Sequence, residues 1–184
     1  MSGRKATVQR RTKETEVSIT LDLDGSGRYK VGCEEQFLRH MMETFSKYSS
    51  FDIEIEASGD NVHHLAEDVA ITLGTAVRQA LGDAPVERIA SAIVPMDDAL
   101  VEVTLDIIDR PYADIDCPDA IYHHFLRSFA MSSGITLHIT VKRGFDEHHI
   151  VEASFKALGT AMRRACARRG ELLSTKDRPS LRRE

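Results

Sequence analysis

Apolar and polar residues alternate at Val17, Ile19, Leu21 and Leu23, which predicts a strand with one buried face. "DGSG" (24–27) then reads as a turn into a second strand. From Glu34 the period lengthens: Phe37, Met41, Phe45 and Tyr48 are spaced 4, 4 and 3, the face of a helix. "FDIEIEA" (51–57) alternates again, and a second helix follows with Ala66, Ala70, Leu73, Val77 and Ala80 spaced 4, 3, 4, 3.

The same order returns further along. "ALVEVTLDI" (99–107) alternates, Ile121, Phe125 and Phe129 mark a helix, and "ITLHITV" (135–141) alternates. Val151, Phe155, Leu158, Met162 and Ala165 repeat the 4, 3, 4, 3 spacing 85 positions after their counterparts. The pattern predicts an α+β fold: a tandem duplication of a β-β-α-β-α module, each module burying one sheet face under helices. "GDAPVERIASAIVP" (82–95) joins the copies and is expected to supply a strand. The boundaries expected are a flexible N-terminus at 1–9, a first module at 10–85, a second at 86–168 and a basic C-terminal tail at 169–184, the modules forming one structural unit.

Composition narrows the class. With 42% hydrophobic and 29% charged residues, the 184-residue chain has the make-up of a cytoplasmic globular protein. Its net charge of −5 argues against a nucleic-acid binder, and no apolar run approaches the ~20 residues of a membrane helix. Cys33, Cys117 and Cys166 lack CxxC spacing, so a thiolate metal site is not expected.

Both duplicated helices open on the same chemistry. "HHLAE" (63–67) and "HHIVE" (148–152) place His63 and Glu67, and likewise His148 and Glu152, one helical turn apart on a shared face. His64 and His149 point elsewhere. Each module adds a histidine on its first helix, His40 and His124, 84 positions apart. A lone HH pair is commonly a solvated helix face. Repetition with a matched glutamate and a matched upstream histidine favours ligation instead. Divided evenly, six histidines and two glutamates make two sites of three histidines and one carboxylate. Nitrogen and oxygen donors suit Mn, Fe, Co or Zn as divalent ions. His123 and His138 have no counterparts and are expected to be ordinary. Glu14, Arg88, Arg110, Lys156, Ser174 and Lys176 together supply the forks, ammonium groups and hydroxyl that a phosphorylated substrate needs.

From "RRTKETEVSITLDLDGSG" through "FLRHMM", the two HHxxE helices, "PMDDALVEV" and "DRPY" to "STK", the chain resembles the imidazoleglycerol-phosphate dehydratase family. The resemblance implies a hydro-lyase that converts imidazole glycerol phosphate to imidazole acetol phosphate in histidine biosynthesis. It implies a large homo-oligomer with active sites between subunits and two Mn²⁺ ions per site, other divalent metals being possible. It assigns His40, His63, His64, Glu67, His124, His148, His149 and Glu152 as metal ligands, with His64, Glu67, His149 and Glu152 also counted as catalytic. Glu14 is expected to move a proton, and Glu14, Arg88, Arg110, Lys156, Ser174 and Lys176 to meet substrate. Two ions on the imidazole nitrogens, as the resemblance implies, would favour ring deprotonation and departure of the side-chain hydroxide. The chain departs from the family pattern at Arg39, where the family has Asp, at Tyr48, in the short loop before His63, and in "IIDRP" beside Arg110. The alternative is a dinuclear-metal hydrolase acting on a small phosphate ester.

Overall fold

A computed structural model describes residues 3–174. Its elements run β1 (Lys5–Arg11), β2 (Thr15–Asp22), β3 (Tyr29–Cys33), α1 (Gln36–Ser49), β4 (Asp52–Gly59) and α2 (Val62–Leu81). The order then repeats as β5 (Ile89–Met96), β6 (Ala99–Ile107), β7 (Tyr112–Ile115), α3 (Ala120–Ser133), β8 (Ile135–Arg143) and α4 (Glu147–Ala165). The fold is α+β and duplicated, as the periodicity implies. Each copy forms a four-stranded mixed sheet, in the orders β1-β2-β4-β3 and β5-β6-β8-β7.

Two strands were not expected. Residues 5–9, read as part of a flexible end, lie in the edge strand β1, paired with β2 from Lys5↔Asp22 to Arg11↔Glu16. β1 carries only Ala6 and Val8 as apolar inward residues, so its periodicity is faint. Just before it, Arg4 is buried against Asp24 and donates to the Cys166 carbonyl, fastening the chain start to the end of α4. β7 has only four residues and pairs in parallel with β8. Each module is therefore β-β-β-α-β-α. β3, the strand after the "DGSG" turn, pairs in parallel with β4 rather than with β2.

Alternation places Val17, Ile19 and Leu21 of β2 and Val101, Val103 and Leu105 of β6 in the core, all 1% exposed or less. The helices cover these faces and then pair across the duplication, α2 against α3 and α1 against α4. Glycine permits that approach. A Cβ on Gly74 of α2 would sit 2.7 Å from the Phe129 carbonyl oxygen of α3. One on Gly159 of α4, at the duplicated position, would sit 3.0 Å from the Phe45 carbonyl oxygen of α1. Glycine inside a helix costs about 1 kcal/mol relative to alanine; here it lets two backbones close to contact. Tyr48, expected on the inner face of α1, is 40% exposed.

Candidate metal centre

Local capping decides where the histidines stand. The Asn61 side chain accepts from the His64 N–H and starts α2; Asp146 accepts from the His148 N–H and starts α4. Both HH pairs are thereby fixed in a first helical turn, at an open helix end.

The cross-module helix pairing assembles two trios. His63 and Glu67 of α2 meet His124 of α3, and one ligand atom from each lies within 4.8 Å of the others. The His63 and His124 rings stack with centroids 5.2 Å apart. His124 Nε2 is 3.2 Å from Glu67 Oε1 but is not aligned for a hydrogen bond, and this buried nitrogen has no hydrogen-bond partner. A buried imidazole nitrogen without a hydrogen-bond partner, aimed at a carboxylate and a second imidazole, fits a metal ion. In the second trio Glu152 Oε2 lies 3.4 Å from His40 Nε2 of α1 and 3.6 Å from His148 Nε2. Phe37 stacks on His148 at 4.6 Å and holds the ring.

The expected division into three histidines and one carboxylate is not what one chain builds. Each trio has two histidines and one glutamate, and His40 serves the other module's helix rather than its own. His64 and His149 stand apart, as the 100° step predicts. His64 Nδ1 lies 2.9 Å from Asp60, 2.8 Å from Asn61 Nδ2 and 3.6 Å from Glu14. His149 Nδ1 lies 2.6 Å from Asp98, and its Nε2 is 3.3 Å from Asp97. The hydrogen bond to Asp60 raises the His64 pKa above its ordinary value, and that to Asp98 raises the His149 pKa. Asp98 is in turn held at about 2 by His149.

Glu152 is buried, which alone would raise its pKa. Hydrogen bonds from Lys156, at 2.8 Å, and from His40 overcome this, so the net shift is downward. Lys156 is 14% exposed, touches Met96 Sδ at 3.0 Å and lies 5.8 Å from the centre of the Tyr48 ring.

Other expected residues lie elsewhere. Arg88 sits at the start of β5 with φ 71°, its fork taken by Asp106 and its Nη1 donating to the Leu173 carbonyl, beside Ser174. Its own carbonyl accepts from Ile107, three residues before the exposed Arg110. Arg88, Arg110 and Ser174 therefore gather at one end of the β5–β6 hairpin, and His149 with Asp98 at the other. Seven strand steps of ~3.3 Å separate the two ends, about 23 Å. Lys176 lies outside the described residues. Asp60, Asp97 and Asp98 are not among the site residues that the sequence predicts, and Phe37 is predicted only as a helix-face residue; Asp98 alone carries a usable signal, its place 84 positions after Glu14.

Comparison with known proteins decides the family. Residues 33–162 match the family model described as imidazoleglycerol-phosphate dehydratase. The chain belongs to that family. It is 41% identical over 176 residues to the imidazoleglycerol-phosphate dehydratase of Dehalococcoides mccartyi, covering 90% of each chain. It is 43% identical over 188 residues to that of Methanothermobacter thermautotrophicus, covering 94% of this chain and 96% of the other. The crystal structure of the Pyrococcus furiosus member superposes with a TM-score of 0.82 at 38% identity, over 92% of this chain and 98% of that one.

Proposed function

We propose that the two trios each hold a divalent metal ion, Mn²⁺ among the candidates, and serve the family's reaction. That reaction is the dehydration of imidazole glycerol phosphate to imidazole acetol phosphate, a hydro-lyase step of histidine biosynthesis. The observation that carries the metal reading is the trio of His63, Glu67 and His124, with His124 Nε2 buried and lacking a hydrogen-bond partner; His40 and His148 stand 3.4 and 3.6 Å from Glu152 at the duplicated positions.

Bound ions would supply Lewis-acid polarisation of the substrate's imidazole ring. The chain's own groups do the rest. Glu14, exposed and 3.6 Å from His64, is free to move a proton. Lys156 brings an ammonium to the edge of the second trio. Arg110, Ser174 and Lys176 are the phosphate grip; Arg88 holds Asp106 and the 173 carbonyl, and so anchors that grip.

Two features favour active sites built between subunits of a homo-oligomer. Arg110 and Ser174 lie too far from the His149 end of the same chain for one small substrate to meet both. His64 and His149 are also left outside their own chain's trios, free to complete a neighbour's. Exposed Ile89, Ile93 and Phe145, the last 96% exposed, offer apolar surface for such contacts. Among the described residues no helix is long and apolar enough to cross a membrane. We place the enzyme in the cytoplasm with its soluble, phosphorylated substrate, and assign it no nucleic-acid or membrane partner.

The test is turnover by chelator-stripped protein before and after Mn²⁺ is restored, with products identified by NMR. Metal-dependent appearance of the keto product is expected. Release of inorganic phosphate without dehydration would instead establish a phosphate-ester hydrolase.

A further inference from the structure

Glu14 and Asp98 occupy the same place in the two modules, 84 positions apart, each in the turn between its module's first two strands. Each faces the second histidine of its module's pair, but they are held differently. Glu14 is 56% exposed and 3.6 Å from His64 Nδ1. Asp98 is 32% exposed, and its Oδ1 lies 2.6 Å from His149 Nδ1. Its other oxygen accepts the backbone N–H groups of Phe145 at 2.5 Å and Asp146 at 3.2 Å. One carboxylate thus ties together the β5–β6 turn, the entry of α4 and the His149 ring. His64 has a looser surround, with Asp60, Asn61 and Glu14 all within reach of the same nitrogen.

A carboxylate on Nδ1 makes that nitrogen the donor, leaving Nε2 as the ligand nitrogen; Nε2 itself lies 3.3 Å from the exposed Asp97 carboxylate, which an arriving ion would meet as well. It also fixes the ring plane. We propose that Asp98 is a positioning residue that orients His149 and sets its tautomer so that Nε2 is presented to a metal ion, while Glu14, at the duplicated position, is left loose to move a proton. The duplication has divided one position into an orienting carboxylate and a mobile one. This rests on the reading of His149 as a metal ligand.

The experiment titrates Mn²⁺ into the chelator-stripped full chain by calorimetry, with circular dichroism and thermal unfolding of the metal-free protein alongside. The wild type is expected to take two ions per chain. Asp98→Asn keeps the shape, but its amide can accept at only one of the two places the carboxylate serves. It should weaken one of the two ions by about ten- to a hundredfold and leave the other. Asp98→Ala should do the same, and Glu14→Gln should leave both ions at wild-type affinity. Wild-type affinity for both ions in both Asp98 variants would overturn the proposal. So would parallel weakening of both ions with a lowered metal-free Tm, the mark of a purely structural residue. A wild type that takes fewer than two ions would overturn the metal reading itself, before any variant is scored.

Discussion

The two trios have the same ligand types on the same duplicated scaffold, yet their surroundings differ. Glu67 is 37% exposed, whereas Glu152 is 9% exposed and bonded to Lys156. The position equivalent to Lys156 in the first module is Ile71. Duplication copied the histidine and glutamate positions through helix geometry and left the electrostatics to diverge. Glu152 has the Lys156 ammonium 2.8 Å away, whereas an isoleucine stands at the matching place beside Glu67. The same divergence separates loose Glu14 from fixed Asp98.

The largest expected break in this comparison comes from truncating the two glutamates. Glu152→Ala strands the Lys156 ammonium in a nearly buried place, and breaking such a pair costs about 3–5 kcal/mol. Glu67→Ala removes the equivalent ligand from a half-exposed place and should change metal-free stability by about 0.5 kcal/mol or less. Each should abolish binding of one ion. Denaturant unfolding in chelator measures the contrast, and equal losses in the two variants would show that the sites are equivalent.

A smaller effect concerns the order of loading. An ion entering at Glu152 must share that carboxylate with Lys156. We expect the Glu67 trio to fill first, about tenfold tighter, which is about 1.4 kcal/mol. Two resolved steps in a Mn²⁺ titration are predicted for wild type, converging in Lys156→Met. A single step in wild type that the substitution leaves unchanged would refute the ordering.

The smallest effect depends on pH. Asp98 raises the His149 pKa above 6.5, so the pair's contribution to metal-free stability is fully present below 6.5 and is lost as pH rises through the raised value. The Tm advantage of wild type over Asp98→Asn, in chelator, should therefore shrink from pH 6 to pH 8. Metal binding needs neutral imidazole and should run the opposite way, strengthening with pH. A Tm difference that grows with pH would contradict the assignment.

Much of this was legible in the chain. Periods of 2 and near 3.6 marked four helices and most strands because those elements bury a continuous face. β1 was missed because its inward residues are only Ala6 and Val8, and β7 because four residues carry too little pattern. The ligand types and the outward direction of His64 and His149 followed from helix geometry alone. The crossed pairing did not, since nothing local in "FLRHMM" says that His40 will face Glu152 rather than Glu67.

The sequence by itself determined the duplication, the four helices and which side chains are the candidate ligands, because these depend on spacings within one or two turns of backbone. The tertiary structure decided which histidine completes which trio, which carboxylate is buried with Lys156, and that Asp98 grips His149. Those outcomes depend on where the closely packed helices at Gly74 and Gly159 bring distant segments together, and contact between segments far apart in the chain is set by packing rather than by period.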